Sequence, residues 1–328
     1  MAVGLYASTH GIDTDDLRRN LRIVVLAVTL GVLLKVVLIG SVMWLFWGKD
    51  HLILAVVVAQ IDPLSVAALQ RRSDMSGNAK AVLRAWASFD DPVTILLTIY
   101  LSTFALGTSA NGGIGDFAVN LGWNILLTAA VWTMWRYLAG RPKAESRFTH
   151  WRGMTIPMPT SARAVTILVT TLAVAGIAIT QSLMLAVALI GLFARPHPRY
   201  DDAITRSAQF ALVLAAGALG MALYGGIDIL PGLALGLTAF GAQSLVSFAL
   251  TWRYSRTDRI ALALCQQNGL TAIILALVLE PQLPGTVAIV APAILVINIL
   301  HCATNAVWRL RKPVPTPVPA PLPVPDRI

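Results

Sequence analysis

Charged side chains are scarce. They make up 12% of the 328 residues, about half of what a soluble domain carries, which leaves too few to coat a surface facing water. Cysteine is scarcer: Cys265 and Cys302 are the two in the chain. That is too few for a disulfide framework or a thiolate metal site, and each falls in an apolar block where a small buried thiol is the plain reading. No HExxH or GxSxG segment occurs, and the five histidines stand apart from the acids singled out below, so zinc and serine hydrolase chemistry has no signature. The chain reads as a protein that is not an enzyme and carries no cofactor.

Apolar residues are plentiful, 56% of the chain, and they come in long blocks. About 20 apolar residues in a helix cross the roughly 30 Å hydrocarbon layer. Ten blocks can be drawn, at 23–47, 51–70, 80–106, 117–139, 163–178, 181–194, 204–224, 229–252, 259–279 and 285–308. Short cytoplasmic connections collect Lys and Arg. Every second connection here is basic, so that all 25 cationic side chains except Lys35 and Lys49 fall on one side. The expectation is an all-α polytopic protein with about ten transmembrane helices, in the cytoplasmic (inner) membrane, with both termini cytoplasmic. The formal charge of +9 is then an orientation signal helped by anionic membrane lipid, and it implies no nucleic acid.

Two biased stretches read as connections rather than sites. PVPTPVPAPLPVPDRI, residues 313–328, alternates proline too densely for helix or strand and reads as a disordered cytoplasmic tail. NGGIGD, Asn111 to Asp116, lacks the strand and helix of a phosphate loop and reads as an external turn.

The acids isolate the chemistry. All but three of the 16 carboxylates fall in connections, on one side of the membrane or the other. The exceptions are Asp62 in LAVVVAQIDPLSVAAL and the adjacent Asp90 and Asp91 in SFDDPVTILLTIYL. Each stands about ten residues from the nearest helix end, about 16 Å along the axis and close to the bilayer midplane. A charged Asp there costs about 2.5–3.5 kcal/mol on insertion scales, so three of them mark function. Pro63 removes a backbone donor and disfavours helix at Asp62, so block 51–70 should break in mid-membrane. Block 259–279 carries the polar patch Gln266-Gln267-Asn268-Gly269 at the same depth. It runs in the opposite direction. Two opposed, interrupted helices crossing at midplane are the signature of an inverted-repeat transporter.

On these segments the chain resembles the monovalent cation:proton antiporter family, in its sodium/proton exchanger branch. Members carry Thr-Asp-Pro on a broken helix and Asn-Asp on the next one, often followed by proline. The matching segments are IDPLSVAALQRR and SFDDPVT, and the resemblance runs from about residue 10 to residue 310. It departs at Ile61 for Thr, Trp86 for Glu, Asp90 for Asn, Asn268 for Arg and Gln243 for another intramembrane Arg. The family pairs that Glu with an Arg, so losing both leaves no orphan charge. Electrogenic relatives with Asp-Asp bring a lysine on the later broken helix. Here Lys35 is the intramembrane lysine, a candidate countercharge for Asp62 or Asp90.

The resemblance implies an antiporter fold with a transport core in two halves, 23–107 and 229–312, joined by linker and scaffold helices over 108–228. Residues 1–22 read as a cytoplasmic segment, the remnant of a preceding helix plus its loop. The family's first three spans have no counterpart ahead of it. A homodimer, or a partner carrying those scaffold helices, is therefore expected. The implied activity is exchange of Na⁺, K⁺ or Li⁺ for H⁺. Burial disfavours a bare carboxylate charge, so cation and proton compete for one site. Asp91 is the expected carrier, with Asp62, the carbonyls freed at the break and Ser65 replacing the ion's water shell. Ile61, Pro63, Gln267, Asn268, Gln243 and Lys35 are supporting residues. Asp90 is either a second titrating acid, which would make exchange electrogenic, or a structural acceptor; a midplane acid is functional by default, which favours the first. On a regular helix Asp90 and Asp91 point about 100° apart, so one of them should face the first broken helix. Two other readings are a truncated or accessory membrane protein that does not transport, and a sodium-coupled organic-solute symporter.

Overall fold

The structure, a computed structural model, describes residues 14–63, 74–105, 114–139, 183–193 and 201–311, with residues 6, 9, 12, 65, 66 and 176 beside them. The expected span 163–178, apart from residue 176, and the tail 313–328 lie outside the described residues. Among the described residues every regular element is helical and no strand occurs.

In chain order the helices are α1 (Thr14–Leu26), α2 (Val32–Trp47), α3 (Leu54–Val58), α4 (Gly77–Ala105), α5 (Ile114–Ala139), α6 (Met184–Phe193), α7 (Asp201–Ala222), α8 (Ile229–Leu250), α9 (Arg256–Ala263), α10 (Leu270–Leu279) and α11 (Thr286–Leu310). A π-helical turn, Ala27–Gly31, joins α1 to α2, and Asp15–Trp47 is one continuous span of 33 residues. At 1.5 Å per residue it is about 50 Å long, more than the hydrocarbon thickness. It begins ahead of the apolar block because Thr14–Leu26 is amphipathic, with Asp15 and Asp16 at the end where the helix dipole favours acids. Helix α5 starts at Ile114, inside the segment read as a turn. Asp15–Trp47, Arg206–Gly225, Ile229–Leu250 and Thr286–Leu310 are long and apolar enough to cross a membrane. Helices α4 and α5, with 29 and 26 residues, have the length as well.

Helix α8 buries one stripe, Gly232, Leu235, Gly236, Ala239, Gln243 and Val246, at the i, i+3, i+4 spacing of a helix face. That stripe packs on α11 and α2. The small residues permit close approach: a Cβ on Gly236 would stand 2.8 Å from the Ala293 carbonyl and 2.8 Å from Val296 Cβ, the small-xxx-small geometry of membrane helix pairs. Gly236→Ala should therefore cost about 1–3 kcal/mol by overpacking. Thermal unfolding in detergent checks this, and an unchanged midpoint would contradict the packing argument.

Polar ties close the ends of the helices. Ser76 donates from its backbone N–H and its hydroxyl to Asp258, both at 2.9 Å, joining the start of α4 to α9. Burial pushes the nearby Tyr254 phenol up, and the Asp258 carboxylate adds to this against the Asn78 hydrogen bond. Tyr254 thus remains a donor, 3.4 Å from Asn20 on α1. At the other end Glu280 accepts the Gly285 and Val287 N–H groups at the start of α11.

The core is two apolar clusters. One contains Ile39, Leu54, Ala55, Ala59, Ile95, Ala272, Leu279 and Val290. The other contains Val28, Ile61, Val66, Trp86, Phe89, Leu262 and Cys265. Four chain segments pass from one cluster to the other in register: Val28 to Ile39, Ile61 to Ala59, Phe89 to Ile95 and Cys265 to Ala272. Between each pair lies a buried polar residue: Lys35, Gln60, Asp90 with Asp91, and Gln266 with Asn268. A polar layer therefore separates the two apolar halves.

Candidate ion-binding site

Two breaks cross in that layer. Helix α3 ends at Val58, Ile61 and Asp62 are unwound, and helix resumes at Pro63. Helix α9 ends at Ala263 and α10 begins at Leu270, with an unwound stretch between. The Asp62 N–H donates to the Gln267 carbonyl at 2.8 Å, so the two unwound strands of chain touch. This is the crossing of broken helices expected from Asp62-Pro63 and the Gln-Gln-Asn-Gly patch.

Four half-helix ends meet there, and each leaves orphan backbone groups that must be satisfied in a membrane interior. The carbonyls at the end of α3 are taken by amides: Gln266 Nε2 donates to Val58 O and Gln60 O at 3.0 and 2.8 Å, and Asn268 Nδ2 donates to Val58 O at 3.1 Å. Those carbonyls are therefore occupied, where the sequence reading left them open to the ion. Past the end of α9, Leu264 O is met by His301 Nδ1 at 2.7 Å and Asn305 Nδ2 at 3.1 Å, both from α11. The two N-terminal ends share one carboxylate. Asp62 Oδ2 accepts the Ser65 N–H at 2.8 Å and the Ser65 hydroxyl at 2.6 Å, and the Leu270 N–H at the start of α10 also reaches Asp62. Asp62 thus sits at the start of α10, where the helix dipole favours negative charge.

Gly269 makes this possible by close approach. A Cβ there would lie 2.8 to 3.0 Å from the three carboxyl atoms of Asp62. Gly269→Ala must displace a side chain pinned by three donors, so any activity that uses Asp62 should fall at least about tenfold, the equivalent of about 1.4 kcal/mol of overpacking. Flux assays on reconstituted protein check this; full activity would mean that Asp62 is free to move.

Asp90 and Asp91 leave α4 in different directions. Asp90 is fully buried; its Oδ2 accepts Lys35 Nζ at 2.9 Å and the Ile61 N–H at 3.0 Å. Lys35, also fully buried, reaches it from α2, 5.7 Å from the Trp86 ring centre. The Trp86 indole approaches Asp90 without closing a well-aligned hydrogen bond. Asp91 turns to the second broken helix instead, where the Thr271 hydroxyl donates to its Oδ2 at 2.7 Å. Its Oδ1 is buried with no hydrogen-bond partner among the described residues. Each acid therefore touches a different broken helix, Asp90 the first and Asp91 the second. The Thr94 hydroxyl lies 2.8 Å from both Gln60 Oε1 and the Asp91 carbonyl, fixing that turn of α4.

The geometry brings together Asp62, Ser65, Asp90, Asp91, Ile61, Asn268 and Lys35. Gln267 takes part through its carbonyl. Gln243 lies to one side, donating to Ser247 at 2.7 Å and to Cys265 Sγ at 3.7 Å. Pro63 is the point where helix resumes. Sequence reasoning missed Thr271, Thr94, Asn298 and His301. Thr271 sits in LTAIILALVL like any helical threonine, and its one signal is its place two residues after Gly269. Asn298 exchanges two hydrogen bonds with the Asn268 backbone, 3.2 and 3.0 Å long, one helix away.

An all-helical fold whose two broken helices cross over buried carboxylates is that of an inverted-repeat secondary transporter. The sequence profile of the transmembrane sodium/hydrogen exchanger family matches residues 2–304, and the chain belongs to that family. Its fold is similar to the structure of the sodium proton antiporter MjNhaP1 from Methanocaldococcus jannaschii at pH 8, with a TM-score of 0.68 at 18% identity, over 94% of this chain and 82% of that one. No curated protein matches the sequence.

Proposed function

We propose that the chain exchanges a monovalent cation, Na⁺, K⁺ or Li⁺, for protons across the cytoplasmic membrane by alternating access, with Asp91 as the shared site. The observation that carries this reading is the bare, buried Oδ1 of Asp91, on a carboxyl that no cation holds in an ion pair among the described residues. A protonated carboxyl needs an acceptor or an unoccupied oxygen, whereas an ionised one needs donors or a cation. Asp62 is met by donors, and Asp90 by an ammonium and an amide N–H. Asp90 also has a buried, unpartnered Oδ1, but its other oxygen is tied to the Lys35 ammonium, and the donors at Asp62 interact best with a charged acceptor. Asp91 has one hydroxyl donor and one open oxygen, so it can take either a proton or a cation there. Asp62 then serves as fixed negative charge beside the cation, and the Ser65 hydroxyl oxygen keeps lone pairs that can face it.

Competition becomes exchange when the site opens to one side at a time. The apolar clusters on either side of the polar layer supply the two barriers, and movement of one helix set against the other would open them in turn. A homodimer, or a partner that completes the scaffold, would hold the static part. Sodium proton antiport is the activity named for the structurally similar protein. The test is proton flux in vesicles containing the purified chain. Adding Na⁺, K⁺ or Li⁺ should dissipate an imposed pH gradient, and no response to any of the three would overturn the reading.

A further inference from the structure

The bond between Thr271 and Asp91 links the second broken helix to a carboxylate whose other oxygen is open. Thr271 is buried and stands on the first turn of α10, next to Leu270, whose N–H reaches Asp62. The start of one half-helix therefore holds two acids from different elements, Asp62 through its backbone and Asp91 through a hydroxyl. A hydroxyl carries a single proton. While Thr271 gives that proton to Oδ2, at 2.7 Å, Oδ1 is the oxygen of the carboxyl left without a partner.

We propose that Thr271 is a positioning residue for exchange: by donating to Asp91 Oδ2 it fixes the carboxyl with Oδ1 open and favours its charged form, and so sets how cation and proton compete. The assignment rests on Asp91 being the exchange site. With Thr271 donating to Oδ2, Oδ1 is the unpartnered oxygen at which cation and proton meet. The Thr271 bond also favours the carboxylate over its protonated form, because a donor interacts more strongly with a charged acceptor. Removing the bond should therefore favour the proton. The titratable groups that face Asp91 are Asp62 on the first broken helix, Asp90 on its own helix and Lys35 on α2, and all three stay in place in the variants below.

The test compares Thr271→Val, which keeps the shape and loses the hydroxyl, with Thr271→Ser, which keeps the hydroxyl. In reconstituted vesicles Thr271→Val should raise the apparent KM for Na⁺ about tenfold at fixed pH, the effect of losing one hydrogen bond to a charged group. It should also move the pH of half-maximal exchange about one unit alkaline, with kcat at saturating cation changed less than KM. Thr271→Ser should restore both. Unchanged KM and pH profile in Thr271→Val, or a Thr271→Ser variant that behaves like Val, would overturn the proposal. A second measurement needs no transport. The infrared C=O stretch of protonated Asp91, identified by its loss in Asp91→Asn, should move to higher frequency in Thr271→Val, return in Thr271→Ser, and need about tenfold more Na⁺ to bleach in Val. A band that stays in place overturns the role of Thr271, while wild-type vesicles without exchange overturn the exchange reading and leave the band to decide Thr271.

Discussion

Replacing Asp91 with asparagine should abolish cation-dependent proton movement while leaving the protein folded. The amide keeps the volume of the carboxyl and can still accept the Thr271 hydroxyl proton, so the packing around a side chain that is 2% exposed is undisturbed. It cannot take up and release a proton, and it brings no negative charge to attract a cation. The expected loss is at least about a hundredfold, the lower end of what a proton-transferring side chain contributes. The comparison is Asp50→Asn, an exposed acid just beyond α2, which should behave as wild type. Vesicle flux with Na⁺, K⁺ and Li⁺, alongside chromatographic behaviour in detergent, separates loss of function from loss of fold. Substantial residual flux would move the exchange site to another carboxylate.

The sequence made the large features legible because each has a local cause. Apolar blocks mark the helices, and polar residues in mid-block mark the site. Pro63 breaks one helix by its own covalent structure, and a run of amides next to glycine breaks the other. Less legible were the features that need two distant segments at once. Lys35 had two acids within conceivable reach, and only the packing of α2 against the break brings it to Asp90, 55 residues away. Thr271, His301 and Asn305 look like ordinary helix residues until the unwound ends they cap or bind are placed beside them. The freed carbonyls of α3 illustrate the same limit. The break predicts that they exist, but a buried carbonyl without a partner costs about 1–3 kcal/mol, and the same patch that interrupts the second helix supplies Gln266 and Asn268 to fill them. Among the described residues the buried side-chain oxygens left without a partner are Asp90 Oδ1, Asp91 Oδ1, Gln243 Oε1 and Gln266 Oε1.

The second large effect concerns Lys35 and Asp90. Both are fully buried and 2.9 Å apart, and removing one partner of such a pair leaves an uncompensated buried charge that costs about 3–5 kcal/mol. Lys35→Met alone should therefore unfold or fail to accumulate, since Asp90 would keep only the Ile61 N–H and a poorly aligned indole. Lys35→Met with Asp90→Asn removes both charges together, and the amide oxygen of the introduced asparagine can still accept from Ile61, so the double variant should recover folding. Its transport decides what the pair does. The sequence alone favours Asp90 as a second titrating acid and hence electrogenic exchange. The ion pair supports the other outcome, because proton uptake at Asp90 would leave the buried Lys35 ammonium without its countercharge, and a pair that stays intact carries nothing. Exchange would then be one proton for one cation, indifferent to voltage, and the double variant would keep it. Proton flux measured in vesicles clamped at two membrane potentials tests this for both proteins. A wild-type flux that follows the voltage, and a double-variant flux that does not, would make Asp90 a second carrier and Lys35 the group that receives or releases its partner proton.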